Sequence, residues 1–139
     1  MIVVLAVTNK SSRLWKNGMD LGAKPEVIVA PERVTRREFR TDRMLRGNKE
    51  ELVGKRLDVQ TIEYYEALAA AIPQDVEILL IGHANAKASA AAKFREYLKK
   101  KHHLIEERIV DELDENLIAL TDNQVLALSR DWFNRHRVM

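Results

Sequence analysis

Six consecutive apolar residues, Ile2-Val3-Val4-Leu5-Ala6-Val7, open the pattern. An unbroken run of that length bounded by polar residues predicts a strand buried on both faces. Residues 12–16 predict a second strand. Asn17-Gly18 follows, and this dipeptide suits a tight hairpin turn whose two central residues take positive φ. Val27-Ile28-Val29, within 25–30, predict a third strand, ended by Pro31, which has no N–H to donate to a ladder. The period then changes. Val59, Ile62, Tyr65, Leu68, Ala69 and Ile72 recur at three- and four-residue steps. They predict a helix with one buried face, capped by Asp58 and stopped by Pro73. Residues 76–82 predict a buried strand. Residues 86–101 predict an alanine-rich helix with Ala91, Phe94 and Leu98 inward, and 106–113 another strand. Thr121 and Gln124 have the spacing of a capping box. They precede a helix expected to bury Val125, Leu128 and Trp132, with Leu126 and Phe133 alongside.

The expected order is three strands, helix, strand, helix, strand, helix. Alternation of strand and helix in the second half predicts parallel neighbours, because parallel strands need a long crossover. The hairpin beginning makes the sheet mixed. The predicted fold class is therefore α/β, one domain over 1–139. Its mixed β-sheet has N-terminal antiparallel strands, then βαβ units, with helices packed on it. A chain of 139 residues suits a single core. A hydrophobic content of 46% excludes a disordered chain. No apolar run approaches the ~20 residues of a membrane-spanning helix. With no cysteine, disulfides, cysteine-based zinc sites and thiol catalysis are excluded. Met1-Ile2-Val3-Val4 lacks a basic leader, so a cytoplasmic location is expected.

Residues 32–57 follow no clean hydrophobic period and are expected to form a basic arm or long loop, a kind of segment that usually carries function inside a compact domain. The net charge of the chain is +2, yet residues 33–56 hold nine basic and four acidic side chains. Seven of the nine are arginines, and Arg33, Arg36, Arg37, Arg40, Arg43 and Arg46 recur every three or four positions. Guanidinium groups match phosphate oxygens in bidentate geometry, and such arms often order on RNA. A second basic stretch contains Lys93, Arg95, Lys99, Lys100 and Lys101, and an acidic one runs from Glu106 to Glu115. Separation of this kind steers a polyanion toward one side. The plainer alternative is a solvated loop paired with Glu38, Asp42, Glu50 and Glu51.

Catalytic patterns are sparse. Gly82-His83-Ala84-Asn85-Ala86-Lys87-Ala88-Ser89 follows a strand and opens a helix, as a phosphate loop does, but Ala86 replaces the second glycine. Gly82, Asn85 and Lys87 are a candidate anion-binding turn, against the simpler reading of small residues selected for packing. His83, His102, His103 and His136 offer no i, i+4 pair for a metal. Asp111-Glu112 and Asp114-Glu115 are paired carboxylates, but acid–base work needs two carboxyls converging on one substrate from different environments. The first strand lacks the aspartate of an RNase H-type nuclease, and no Gly-x-Ser-x-Gly elbow occurs. No catalytic constellation and no cofactor are expected.

Ile78-Leu79-Leu80-Ile81-Gly82, then Ala86-Lys87, the run from Thr121 to Arg130 with Phe133, and Ser12-Arg13-Leu14-Trp15 together resemble a bacterial family. That family is related to the third domain of archaeo-eukaryotic peptide-chain release factors and Pelota. The likeness covers residues 76–133 and a short N-terminal match. It implies an α/β sandwich with a mixed sheet, shared with a class of RNA-binding ribosomal proteins, and a translation-associated role. Release factors place hydrolysis in a separate domain with a Gly-Gly-Gln loop, which is absent here. The likeness thus implies a stand-alone, noncatalytic binding module. Its relatives tend to carry histidine in the middle segment, where this chain carries arginine, so no metal-linked role carries over. The expected partners are RNA or the ribosome, with a protein of the translation machinery beside them, and no membrane. Two alternatives belong to other classes. One is a protein or enzyme binding a small phosphorylated ligand at the 82–89 turn. The other is a homo-oligomer in which the arm wraps a second subunit.

Overall fold

The first apolar run is β1 (Ile2–Val7), and it lies in the centre of the sheet. On one side it pairs antiparallel with β2 (Ser11–Trp15), which pairs antiparallel with β3 (Glu26–Val29). On the other side it pairs parallel with β4 (Glu77–His83), which pairs parallel with β5 (Ile109–Glu115). The result is a five-stranded mixed sheet in the order β3-β2-β1-β4-β5. The computed structural model describes residues 1–31, 59–83 and 89–136. Asp58, the arginine-rich stretch, Asn85 and Lys87 lie outside the described residues.

Four α-helices accompany the strands among the described residues. They are α1 (Val59–Ala71), α2 (Ala90–Lys101), the single turn α3 (His103–Glu106) and α4 (Asp122–His136). The steps from β1 to β4 and from β4 to β5 advance in the same direction across the sheet. A constant crossover hand then puts α1 and α2 on one face. There Val3, Leu5, Val7, Ile78 and Leu80 meet Tyr65, Leu68, Phe94 and Leu98. On the opposite face Val4, Ala6, Leu79 and Ile81 meet Val125, Leu126 and Trp132 of α4. Alternate residues of each central strand serve opposite cores, which is why both strands read as unbroken apolar runs. Each fully buried leucine or phenylalanine contributes about 1.5–3 kcal/mol.

Local chemistry defines the ends. Gln124 N donates to Thr121 Oγ1 at 3.2 Å and Thr121 N donates to Gln124 Oε1 at 2.8 Å, the reciprocal capping box that the spacing predicts. Arg13 of β2 reaches across the second face to α4, with Nη1 2.8 Å from Asp122 Oδ1. The same side chain donates to the carbonyls of Leu120 and Leu117, so one guanidinium ties β2 to the turn before α4.

Several expectations are corrected. Asn17-Gly18 makes no two-residue hairpin. Gly18 has φ 121°, but Asn17 does not share the positive region, and ten residues separate β2 from β3. That loop folds over the second core, where Met19 and Ala23 pack, and Gly22 N donates to Asn123 Oδ1 at 2.8 Å. Of the face expected for α1, Tyr65, Leu68, Ala69 and Ile72 are buried, but Val59 and Ile62 are exposed and Tyr64 is buried beside Tyr65. Residues 103–106 are helical, so the last strand begins at Ile109 rather than 106. In α4, Leu126 is fully buried while Leu128 is only half-buried.

Candidate functional site

Open sheets with parallel strands bind ligands beyond the carboxyl ends of those strands. At that end of β1 the chain turns sharply into β2. Thr8 Oγ1 donates to Ser11 O at 2.8 Å and accepts from the amides of Lys10 and Ser11. Asn9 and Lys10 are thereby held outward, and both are exposed. Ala30 N donates to Lys10 O at 2.9 Å, bringing the end of β3 against the same turn. Tyr64 of α1 closes it from below. Its hydroxyl donates to Thr8 O at 3.0 Å and lies 2.6 Å from Ser12 Oγ. With its proton committed to Thr8, Tyr64 accepts from the serine.

A cleft of about 640 Å³ opens here. Asn9 and Lys10 line it from the turn, Val29, Ala30 and Pro31 from β3, and Gln60, Thr61, Tyr64 and Tyr65 from α1. Ala90 and Lys93 complete it from α2. No carboxylate lines it among the described residues, and neither lysine is ion-paired with a described residue. Burial pushes Tyr64 up to about 12, against the lowering hydrogen bond from Ser12, so the floor stays uncharged at neutral pH. The cleft is thus apolar at its base, positive at its rim and, among the described residues, without a competing anion.

The described residues on either side of the arginine-rich stretch lie at the same place. Pro31, the last described residue before it, and Gln60, in the first turn after it, both line the cleft. Lys99, Lys100 and Lys101 sit elsewhere. They form the last turn of α2, three turns from Ala90, and are exposed. The fold sets them at the opposite end of the helix from the cleft.

Gly82 has a packing role. A Cβ there would stand 2.9 Å from Ala91 Cβ and 3.0 Å from Ser89 Oγ, so its missing side chain lets α2 lie against β4. The first turn of α2 is capped from within, since Ala92 N donates to Ser89 Oγ at 3.0 Å. His83 is the last residue of β4, and its Nδ1 is buried without a hydrogen-bond partner among the described residues.

The acidic stretch does not converge. Asp111 and Glu112 point to opposite faces of β5: Trp132 Nε1 donates to Asp111 Oδ2 at 2.7 Å, and Arg95 Nη1 donates to Glu112 Oε1 at 3.2 Å. Arg95 also donates to Glu106 from Nε. Glu66 joins α1 to α2, accepting from the Tyr97 hydroxyl and lying 2.9 Å from His102 Nε2. These two contacts, Tyr97 first, hold the Glu66 carboxyl below the usual carboxylate range. His136 stacks on Trp132 at 4.5 Å. Among the described residues no three histidines or carboxylates gather as metal ligands, and no helix is long and apolar enough to cross a membrane.

Sequence reasoning had no signal for Lys10, a single lysine in a polar turn. It placed Lys93 in a basic stretch without separating it from the lysines at the far end of α2. Comparison with protein-family models, curated proteins and solved structures finds no match.

Proposed function

We propose that the chain is a noncatalytic, translation-associated module that binds RNA or the ribosome through its arginine-rich segment. Arg33, Arg36, Arg37, Arg40, Arg43 and Arg46 supply the phosphate contacts. The observation that carries this is the position of the described residues on either side of that segment. Both of its flanks line a cleft whose rim carries Lys10 and Lys93 and, among the described residues, no carboxylate. The positive excess of residues 33–56 therefore adds to an end of the molecule that is already positive. Several acidic side chains are engaged elsewhere, with Arg13, Arg95 and Trp132. The mixed sheet covered by helices on both faces also supports the likeness to release-factor third domains, a likeness of fold that does not by itself assign function.

The test is ribosome co-sedimentation together with filter binding of structured RNA at rising salt. With about five phosphates neutralised, affinity should fall about ten- to twentyfold for each doubling of salt. A chain carrying Arg36→Glu, Arg37→Glu, Arg40→Glu and Arg43→Glu should stay in the supernatant. Absence of binding at the lowest salt, or equal binding by the reversed chain, overturns the proposal.

A further inference from the structure

We propose that the cleft between the β1–β2 turn and the starts of α1 and α2 is a binding site for a nucleoside phosphate. Lys10 and Lys93 hold the phosphate, and the wall of Val29, Ala30, Pro31 and Ala90 lies against the sugar and base. The site is built from described residues alone.

Charge sets the first requirement. Two lysines from different elements line one cleft with no anion beside them among the described residues. Elsewhere on the sheet Lys16 is paired with Glu26 and Arg13 with Asp122. A pair of unbalanced ammonium groups on low-dielectric walls attracts an anion, and a terminal phosphate suits point-charge donors such as lysine.

Size and polarity set the second. A volume of about 640 Å³ falls within the range of small-molecule sites and far exceeds a bare phosphate. The remainder of the ligand must occupy a wall of alkyl groups and neutral aromatics. It must also meet a rim amide from Asn9, which offers both a donor and an acceptor. A flat heteroaromatic base on a sugar has this combination, while a fatty chain would leave the polar rim unmatched. Tyr64 cannot contribute a negative charge at neutral pH, because burial keeps its hydroxyl protonated.

The site is also rigid where it matters. The turn that presents Lys10 is held by Thr8, and the backbone of Lys93 is fixed in the first turn of α2 by its amide donating to Ser89 O at 3.2 Å. Ser89 Oγ caps the Ala92 amide in the first turn of α2, and among the described residues Lys10 and Lys93 are the charged side chains of the lining.

A free mononucleotide and a 5′-phosphorylated RNA end present the same chemistry, and the experiment separates them. The full chain is titrated calorimetrically at low salt with AMP, GMP, CMP and UMP, with adenosine and inorganic phosphate as partial ligands. A 5′-phosphorylated tetraribonucleotide then competes for the site. At least one monophosphate should bind ten times more tightly than adenosine or inorganic phosphate. Lys10→Ala and Lys93→Ala, at exposed positions that leave the fold intact by circular dichroism, should each weaken it about tenfold or more, the loss of one charge-assisted contact. Competition by the tetranucleotide assigns the site to an RNA end; failure to compete, with the mononucleotide bound, assigns it to a free nucleotide. Binding unaffected by both lysine variants, inorganic phosphate matching the nucleotides, or no heat with any of them overturns the proposal. Nucleotide binding without ribosome binding refutes only the preceding reading; the reverse refutes only this one.

Discussion

Replacing Tyr64 with phenylalanine deletes one oxygen from the floor of the cleft and leaves the ring in place. That oxygen donates to Thr8 O at 3.0 Å and accepts from Ser12 Oγ at 2.6 Å. Tyr64 is 4% exposed and Ser12 1%, so water cannot replace the lost partner. Ser12 would keep a buried hydroxyl with nowhere to donate. Two hydrogen bonds and one orphaned group correspond to about 2 kcal/mol. For a domain of this size the melting temperature should drop by ~7 °C. Ser12→Ala alone leaves the Tyr64–Thr8 bond intact and should cost about 1 kcal/mol. The double variant should cost less than the sum, because Ser12→Ala removes the hydroxyl that Tyr64→Phe orphans, with a coupling of about 1 kcal/mol.

An alkaline titration gives an independent reading of the same group. Burial raises Tyr64 from 10.0 to about 12, so its contribution is complete below pH 10 and is lost as pH rises toward 12. A shift of that size corresponds to about 2–3 kcal/mol. Urea denaturation followed by circular dichroism, at pH 7 and at steps from pH 9 upward, measures both effects. In Tyr64→Phe the alkaline loss should shrink, leaving the part due to Tyr97, which is also raised to about 12 by burial and by Glu66. A variant within ~0.5 kcal/mol of the parent at pH 7, or single costs that simply add, would refute the bonded floor.

Gly82→Ala should cost ~1–3 kcal/mol by forcing α2 away from β4, as read from urea midpoints; an unchanged midpoint would show that the helix has room to give. Thr121→Ala removes the reciprocal cap of α4 and should cost about 1 kcal/mol in the same assay. Glu66 is depressed below its ordinary 4.5, so its contribution is present above that pH and is lost as pH falls through the lowered value. The difference in stability between the parent and Glu66→Gln should therefore close on the acid limb, and a constant difference down to pH 2 would contradict the tie between α1 and α2.

The strands were legible where the residues faced two cores at once. β1 and β4 are continuous apolar runs because α1 and α2 cover one face and α4 the other. The capping box was legible because it is a bond between two residues three apart. The β2–β3 connection was not. Asn17-Gly18 carries hairpin chemistry, but Met19 and Ala23 gain more by packing over the second core, and Asn123 of α4 accepts from the Gly22 amide. The inward face of α1 was read correctly from Tyr65 to Ile72, but its first turn was not: Val59 and Ile62 are exposed and Tyr64 is buried, because apolar period alone does not rank tyrosine above valine. Tyr64 wins its position through Thr8 and Ser12, and Tyr65 through rings 5.4 Å away in Phe94 and Tyr97. The cleft was invisible for the same reason: Lys10 and Lys93 are 83 positions apart in the sequence, and only the packing of α2 against β1 and β4 puts both on one rim.

Every strand is made before the helix that covers the second face. Synthesis therefore completes β1, β2 and β4 while Val4, Ala6, Trp15, Leu79 and Ile81 still lack Val125, Leu126 and Trp132. Until those residues leave the exit tunnel, a half-covered sheet presents an oily plane to its neighbours. Crowded polysomes would thus be the setting in which this chain is most prone to associate wrongly. Slowing elongation between Glu115 and Trp132 should lengthen that exposure, while a chaperone that shields flat apolar surfaces should relieve it.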